Sequence, residues 1–410
     1  MQTREKATHQ QTRSHNKQLV LRTIFEEGQI SRADIARRTG LTPVTVSQLA
    51  AELIDDDLVT QIDADVATPG RRGRNPVMLS MAADGRNLVA LRIAVNEYRG
   101  AVLDLSGNML YSRALDVGDE RGDAAVLRIQ ELLDDVCQHA TSPLLGIGVA
   151  APGIVDTQRG VIHRSIFFDW NDLPLGARLQ ERYRQPVHVA NASQVAALAE
   201  YLFGGGHASP NLAVVRVGQD VGVGLVLNGQ LFFGDHYGAG ELGHLVMEPD
   251  GELCRCGNRG CLETLVSRPA LLRQAATLAA QQPDSAFART LAAHPGHDLD
   301  AVLAAYQAGD PLAVQLADAA ATNIGRALAG IVTLLNVRTI LFVGSVTQFG
   351  EPWLETIRAT LQHSAIPQLA EDTELGIAEH GPDAVILGAA ALLLTRELGL
   401  AFHSRFAARL

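Results

Sequence analysis

The sequence predicts an α/β protein in which a small helical domain precedes a larger domain of strands and helices. Residues 15–60 contain three short helical patterns in succession. From residue 85 onward, apolar runs typical of strands alternate with longer helical patterns. A chain of 410 residues, 47% of them hydrophobic and only 19% charged, can bury two or three separate cores.

Capping residues delimit the three N-terminal helices. Gly28 ends the first helix, and Ser31 caps the second. Gly40 makes the next turn, after which Thr42 caps a third helix that has Pro43 at its first position. Two helices joined by a short turn containing glycine form a helix-turn-helix, whose second helix enters the DNA major groove. A small helical docking module is the alternative interpretation.

The exposed face of the third helix carries side chains that can contact base edges, because Gln pairs with adenine and Thr or Val contacts the thymine methyl group. These candidate DNA-binding residues are Thr42, Val44, Thr45, Ser47 and Gln48. Arg32, with Arg37 and Arg38 on the same preceding helix, would contact phosphates.

A predicted wing follows, since residues 58–81 contain two strand patterns around a loop. The tip carries Arg71, Arg72 and Arg74 on glycine-containing backbone, and such arginines suit a narrow, electronegative minor groove. A solvated basic linker is the alternative for this tip. Residues 1–80 hold 11 Lys and Arg against 10 Asp and Glu, whereas the whole chain has a net charge of −11. Only this segment can approach DNA without strong repulsion.

Targeting signals are not evident in the sequence. No apolar run approaches the roughly 18 residues of a membrane span, and the polar N-terminus lacks the apolar core of a signal peptide. We therefore expect no membrane span and a cytoplasmic location.

Three of the four cysteines lie in one short loop together with a histidine. His244, Cys254, Cys256 and Cys261 form a Cys3His set, which is a ligand combination typical of tetrahedral zinc. Because all four positions are filled by protein, the predicted cofactor is one structural Zn²⁺ per chain. Small buried cysteines, or a disulfide with one cysteine left over, are the alternatives.

The segment from Glu241 to Ser267, ELGHLVMEPDGELCRCGNRGCLETLVS, resembles the signature of the ROK family. This family comprises bacterial sugar kinases and sugar-responsive transcription repressors with a two-lobed, actin-like (ribonuclease H-like) fold. The resemblance implies that Glu241, His244 and Glu263 contact sugar hydroxyls. It also implies that Gly153, in an Ala-Pro-Gly turn, and Asn191 line the same sugar cleft.

The chain departs from the kinase members of the family at four places. Arg92 to Asn96 replace a glycine-rich phosphate loop, and Ala192 replaces the aspartate that acts as general base. Asp220 stands in a second phosphate loop, and Val343 to Ser345 lack a glycine pair near the nucleotide. A separate departure concerns the sugar and not the nucleotide, since Phe167 replaces an asparagine beside the sugar cleft. The resemblance therefore implies sugar recognition without phosphoryl transfer.

The expected organisation is a winged helix-turn-helix at residues 1–82, an actin-like N-lobe at 83–195 completed by a C-terminal helix at about 386–410, and a C-lobe at 196–385 with the zinc loop. We expect a sugar-responsive, non-enzymatic DNA-binding regulator, most simply a repressor of carbohydrate uptake and catabolism genes. Its expected partners are operator DNA, a monosaccharide or sugar-derived effector, and a second copy of the chain in a homodimer or tetramer. The alternatives are a regulator controlled by a protein partner and an ATP-dependent sugar kinase.

Overall fold

The structure is a computed structural model that describes residues 9–63, 77–204, 209–294 and 298–400. Within this part of the chain, no helix is long and apolar enough to cross a membrane.

The N-terminal segment folds as three helices beside a small sheet. Its elements are α1 (His9–Glu27), β1 (Ile30–Ser31), α2 (Arg32–Thr39), α3 (Pro43–Asp55), β2 (Val59–Asp63) and β3 (Val77–Met81). β3 lies between β1 and β2 and is antiparallel to both. Ile24, Ile35, Val46 and Leu53 are buried in a common core. This is the predicted winged helix-turn-helix, with β2 and β3 as the strands of the wing.

The helix boundaries follow from the predicted caps. The Ser31 hydroxyl accepts the N–H of Asp34 at 3.2 Å, and the Thr42 hydroxyl accepts the N–H of Thr45 at 3.2 Å. Each such cap stabilises a helix by about 1 kcal/mol. Gly40 adopts a left-handed conformation with φ of 71°, which favours glycine because it has no Cβ. The wing tip with Arg71, Arg72 and Arg74 lies outside the described residues.

The first lobe is built on a five-stranded sheet of order β11-β7-β4-β5-β6. Its elements are β4 (Asn87–Ile93), β5 (Glu97–Leu103), β6 (Met109–Asp116), α4 (Gly122–Gln138), β7 (Leu144–Ala151), α5 (Leu175–Tyr183) and β11 (Val187–Asn191). The first three strands form the predicted antiparallel meander, and β7 and β11 are added in parallel. A separate antiparallel sheet contains β8 (Ile154–Asp156), β9 (Val161–Ser165) and β10 (Trp170–Leu173).

The second lobe has a five-stranded sheet of order β14-β13-β12-β15-β16. Its strands are β12 (Leu212–Val217), β13 (Val221–Leu227), β14 (Gln230–Leu231), β15 (Thr339–Val343) and β16 (Glu374–Ile377). Its helices are α7 (Leu262–Val266), α8 (Arg268–Gln281), α9 (Ala286–Ala293), α10 (Leu299–Gln307), α11 (Pro311–Leu335), α12 (Glu351–Ser364) and α13 (Pro367–Glu371). Phe287, Phe342 and Trp353 are fully buried in the core of this lobe.

Two helices join the lobes. α6 (Ala192–Leu202) follows the last strand of the first sheet and packs against β12 and β13 of the second. α14 (Ala384–Leu398) packs along α6 and against β4 and β7 of the first lobe. Gly388 permits this close approach, because a Cβ there would lie 1.9 Å from the carbonyl oxygen of Val195. The result is the expected two-lobed α/β architecture, in which the C-terminal helix returns to the first lobe.

Candidate functional site

The four predicted metal ligands come together at one point of the second lobe. The ligand atoms of His244, Cys254, Cys256 and Cys261 all lie within 4.8 Å of one another. His244 Nδ1 is 3.6 Å from the sulfur of Cys254, and the sulfurs of Cys256 and Cys261 are 3.6 Å apart. None of the four cysteines of the chain is in a disulfide.

This donor set fits a tetrahedral zinc ion. A tetrahedral centre with Zn–S bonds of about 2.3 Å places neighbouring sulfurs about 3.8 Å apart, close to the separation observed here. A disulfide would instead require about 2.05 Å. The four residues can therefore hold a metal ion.

Tight backbone turns present these ligands. Short antiparallel bridges join Val246 to Cys261 and Leu253 to Arg259, which folds the loop back on itself. Gly260 has φ of 64°, and a Cβ there would lie 1.5 Å from the carbonyl oxygen of Glu248. The loop geometry therefore requires glycine beside the last cysteine ligand.

The five predicted sugar contacts line a single cavity of about 290 Å³ between the lobes. They are Gly153, Asn191, Glu241, His244 and Glu263. Asn191 donates to the carbonyl oxygen of Gly153 at 2.8 Å and accepts the N–H of Ser193 at 2.8 Å. Its side chain therefore ties the Ala-Pro-Gly turn of the first lobe to the start of α6.

One of the metal-binding residues is also part of the cavity wall. While Nδ1 of His244 faces Cys254, its Nε2 lies 3.8 Å from a carboxylate oxygen of Glu241. The Glu241 side chain remains 38% exposed toward the open cleft. Loss of hydration against the cleft walls raises the pKa of Glu241, and His244 opposes this shift. A bound metal would thus fix the orientation of a ring that faces the cavity.

Glu263 is held by partners that the sequence did not indicate. Its side chain is only 8% exposed, and Arg255 donates to one carboxylate oxygen at 2.7 Å. The N–H of Val221 donates to the other oxygen at 3.1 Å. Arg255 lies between the ligands Cys254 and Cys256 and lines the same cavity. Its position in the Cys-Arg-Cys motif could therefore have predicted that it faces the cavity.

Aromatic residues of the β8–β10 region have different environments. Phe167 lines the cavity, and the guanidinium of Arg121 lies 4.1 Å from its ring centroid. Trp170 is instead buried against Phe168 in the first lobe and donates from its indole N–H to the carbonyl oxygen of Gly122 at 2.9 Å. Replacement of the expected asparagine by Phe167 therefore makes this wall apolar.

A second cavity of about 370 Å³ adjoins the first. It is lined by Arg92, Asp220 and Ser345, which stand at the predicted positions of the nucleotide loops, and by Ala192, at the predicted position of the general base. Arg216, which sequence reasoning missed, donates to both carboxylate oxygens of Asp220. Burial alone would raise the pKa of Asp220, but Arg216, with Arg255 and Arg92 nearby, lowers it to about 2. The negative charge of Asp220 is therefore compensated within the protein.

The candidate DNA-binding face lies on the first two turns of α3. Thr42, Val44, Ser47 and Gln48 are exposed, and Val44 is 67% exposed although it is apolar. Thr45 is half-buried. Its hydroxyl lies 2.9 Å from that of Thr42, so both hydroxyls take part in the cap.

The arginines of α2 differ in their partners. Arg37 pairs with Asp34, and Arg38 pairs with Glu27. Among the described residues, Arg32 has no carboxylate partner within ion-pair distance, and its Nε is buried without an acceptor. Arg32 is thus the α2 arginine without a carboxylate partner among the described residues, and its contact with a phosphate stays a prediction.

Comparisons with known proteins agree with both parts of this architecture. A model described as "ROK family" matches residues 88–396, and one described as "Winged helix-turn-helix DNA-binding" matches residues 13–60. The chain is 27% identical over 384 residues to the DNA-binding transcriptional repressor Mlc of Escherichia coli, covering 93% of both chains. It is 28% identical to the N-acetylglucosamine repressor of Escherichia coli O157:H7, over 86% of this chain and 85% of that protein.

Kinases are also among the similar proteins. A glucokinase of Halalkalibacterium halodurans is 34% identical over 257 residues, which are 62% of this chain and 78% of the glucokinase. Among solved structures, a ROK family transcriptional regulator described as a homolog of the Escherichia coli Mlc protein superposes with a TM-score of 0.82 at 28% identity. That match covers 95% of this chain and 98% of the other. Because the family model spans about three quarters of its length, the chain belongs to the ROK family.

Proposed function

We propose that this protein is a sugar-responsive DNA-binding transcription regulator, most simply a repressor of carbohydrate uptake and catabolism genes. The observation that carries the proposal is the presence in one chain of a winged helix-turn-helix and a cavity lined by Gly153, Asn191, Glu241, His244 and Glu263. Carboxylates, amides and imidazoles are the groups that exchange hydrogen bonds with sugar hydroxyls. Similarity to repressors along the whole chain, and to the glucokinase over the ROK part, supports it.

The same geometry argues for binding without phosphoryl transfer. Ala192 lines the cleft where kinases of the family have a general base, and its methyl group cannot accept a proton. Arg92 to Asn96 present side chains in place of a glycine-rich phosphate loop. Phosphoryl transfer depends on positioning and charge stabilisation around the phosphates, so these losses favour a regulator over an enzyme.

A structural zinc ion completes the proposed effector cavity. His244, Cys254, Cys256 and Cys261 would hold the ion and leave no ligand position for water. The ion would stabilise the loop in which Glu241 precedes these ligands and Glu263 follows them.

A physical route connects the cavity to the DNA-binding helices. α6 is capped by Asn191 in the cavity and ends near α1, where burial and the carboxylate of Glu26 raise the pKa of Tyr201. Gly399, which follows α14, lies beside the side chain of Gln18 on α1, because a Cβ added there would be 2.7 Å from it. A sugar that favours one arrangement of the lobes would thereby shift the position of α1.

We also propose that the regulator acts as a homodimer or tetramer in the cytoplasm, because operators with two-fold symmetry match two-fold proteins. In this proposal residues 1–82 bind DNA, and residues 83–410 form the two lobes.

Operator binding measured in the presence of sugars tests the proposed function. Genomic fragments selected by the full-length protein serve as probes in an electrophoretic mobility-shift assay, with a panel of monosaccharides and their phosphates as additions. We expect the full-length protein to bind a fragment that a variant lacking residues 1–80 does not bind. We also expect the affinity for this fragment to change with one class of sugar. Equal binding by a variant lacking residues 1–80 would exclude the DNA-binding assignment, and an affinity unaffected by every sugar would favour control by a protein partner.

A further inference from the structure

A third cavity, the outer cavity, lies beside the effector cavity and has a volume of about 490 Å³. Ile154 lines both cavities, and His163 of the outer cavity precedes Arg164 of the effector cavity on β9. The two cavities therefore adjoin at the β8–β9 hairpin. The effector cavity, at about 290 Å³, is at the lower limit of small-molecule sites, which have about 300–1,000 Å³. The two cavities together lie well within that range.

Both lobes contribute polar side chains to the outer cavity. The first lobe supplies Asp156, Gln158 and His163, from β8, β9 and the turn between them. The second lobe supplies His236 and Tyr237, from the loop after β14. A carboxylate, an amide, two imidazoles and a phenol can each exchange hydrogen bonds with hydroxyl groups. The outer cavity thus contains the kinds of group that bind a sugar.

Asp156 is the most buried of these groups, and its side chain is only 7% exposed. Its Oδ1 accepts the N–H groups of Gln158 and Arg159 at 2.9 Å and 3.0 Å. Burial alone would raise the pKa of Asp156, but these N–H groups and the hydroxyl of Tyr237 lower it. The carboxylate is therefore ionised at neutral pH and held in one orientation. Because an ionised carboxylate has about four acceptor positions, it can still accept from a ligand hydroxyl.

Tyr237 faces Asp156 from the second lobe. Its backbone has φ of 60°, a left-handed conformation that is unusual for an aromatic residue. The ring packs edge-on against Phe233, with ring centroids 6.3 Å apart, and the amide of Gln194 on α6 donates to the carbonyl oxygen of Tyr237 at 3.4 Å. These contacts hold the phenol at the wall of the outer cavity.

The two histidines of the outer cavity have ring nitrogens available for a ligand. Nδ1 of His163 lies 2.7 Å from a carboxylate oxygen of Asp172, which leaves Nε2 as its second hydrogen-bonding atom. His236 is exposed on the opposite lobe. A ligand that contacted both histidines would therefore connect the lobes.

We propose that the outer cavity is a second sugar subsite, so that the effector is a disaccharide or a longer oligosaccharide with one ring in each cavity. The position of the first ring rests on the proposed function, whereas the second ring is assigned by the side chains of the outer cavity. Such a ligand would contact Asp156 and His163 of the first lobe together with His236 and Tyr237 of the second. It would thereby favour the arrangement of the lobes in which these groups face one another.

Calorimetry on the full-length protein tests the subsite by comparing disaccharides with their parent sugars. The pairs are cellobiose and maltose with glucose, xylobiose with xylose, and N,N′-diacetylchitobiose with N-acetylglucosamine. We expect at least one disaccharide to bind about 10-fold more tightly than its parent sugar, as one or two additional hydrogen bonds would give. If no disaccharide binds more tightly than its parent sugar, the second subsite is wrong, even where a monosaccharide controls operator binding.

Two substitutions in the outer cavity should reduce this advantage. His236→Ala deletes an exposed ring, and Asp156→Asn removes a charge but keeps an acceptor for the N–H groups of Gln158 and Arg159. We expect each to weaken disaccharide binding by about 3- to 10-fold and to leave the affinity for the parent sugar unchanged. His363→Ala is the matched control, because His363 is an exposed histidine on α12 of the same lobe as His236 and lines neither cavity.

The outcomes separate the second subsite from the proposed function. A disaccharide advantage that survives both His236→Ala and Asp156→Asn would place the second ring elsewhere and overturn the assignment. An equal loss for the disaccharide and its parent sugar would also contradict it, because the subsite contacts only the second ring. If the advantage depends on His236 while no sugar changes operator binding in the mobility-shift assay, the second subsite stands and the sugar-responsive function fails.

Discussion

Arg216 holds Asp220 with two hydrogen bonds from one guanidinium, and the longer of the two measures 2.9 Å between Nη2 and Oδ2. Arg216 lies on β12 and Asp220 in the turn to β13, where the resemblance to kinases of the family predicts a phosphate loop. The ion pair ties the turn to the end of β12. From the sequence alone, Asp220 was expected only to repel phosphate. In the structure, Asp220 and Arg216 belong to a network of charges with Arg255, Arg92 and Glu263.

The first prediction is that the protein does not phosphorylate sugars and that Ala192→Asp does not rescue activity. Removal of a general base alone costs about 10²- to 10⁴-fold, which could leave slow turnover. Here the phosphate loop is also absent, so restoring the base should not suffice. A coupled ADP-release assay over several sugars measures this. Sugar-dependent ADP release by the unmodified protein would show that it is a kinase.

The second prediction concerns the metal. Freshly purified protein should contain about one zinc per chain, and Cys256→Ser should release it. Since the loop has little apolar surface of its own, we expect destabilisation above the roughly 0.5 kcal/mol of an ordinary surface substitution. Metal analysis and thermal unfolding measure the two effects. Cys137→Ala is the control, because Cys137 lies outside the cluster and should leave the zinc content unchanged. Protein isolated without zinc would contradict the assignment.

The third prediction concerns DNA contacts. Gln48→Ala should reduce discrimination between operator sequences by about 1–3 kcal/mol, because a bidentate contact to a base would be lost. Arg32→Ala should weaken binding to all sequences and lower the salt slope by about 1. Arg37→Ala is the matched control, since Arg37 already pairs with Asp34. Quantitative binding at several salt concentrations separates these effects, and identical slopes for Arg32→Ala and Arg37→Ala would remove Arg32 from the interface.

The predicted wing offers a related test. Arg72→Ala should weaken binding to operators with A·T-rich flanks, because such flanks narrow the minor groove and concentrate negative potential there. Binding to operators with G·C-rich flanks should change less. Equal losses on both kinds of flank would indicate a nonspecific phosphate contact.

The fourth prediction concerns sugar recognition. Glu241→Gln should weaken effector binding by about 1.5–3 kcal/mol, since a charged acceptor forms stronger hydrogen bonds than an amide. Glu248→Gln removes the same charge from an exposed position of the same loop and is the control. Calorimetry with the active sugar compares the two variants. A similar loss in both would indicate a general electrostatic effect of the loop.

The fifth prediction concerns pH and stability. Glu200 lies on α6 and is fully buried, and burial raises its pKa, although the side chain and the backbone N–H of His380 oppose this shift. A carboxyl group with a raised pKa in the folded state stabilises the protein at low pH, and this contribution is lost as the pH rises through that pKa. Glu200→Gln removes this titration. The free energy of unfolding of the variant, relative to that of the unmodified protein, should therefore be higher at pH 8 than at pH 5. Denaturant unfolding at both pH values measures this, and a difference that does not depend on pH would contradict it.

Local chemistry explains what the sequence by itself determined. The caps at Ser31 and Thr42, the meander from residue 87 to residue 116 and the spacing of the four metal-binding residues depend on neighbours close along the chain. Their geometry can therefore be predicted from residue type and periodicity. The resemblance carried by Glu241 to Ser267 then gave the two-lobed fold and the set of cavity residues.

Only the tertiary structure decided how the charges of the two cavities are compensated. Asp220 pairs with Arg216 at the end of β12, Glu263 pairs with Arg255 and accepts the N–H of Val221, and Arg92 has a carboxylate oxygen of Glu97 3.7 Å away. These relationships join strands, turns and the metal loop across the interior. They depend on distances of a few ångströms that sequence spacing does not fix, even where the partners are four or eight residues apart, because Coulomb energies and hydrogen bonds change steeply over that range.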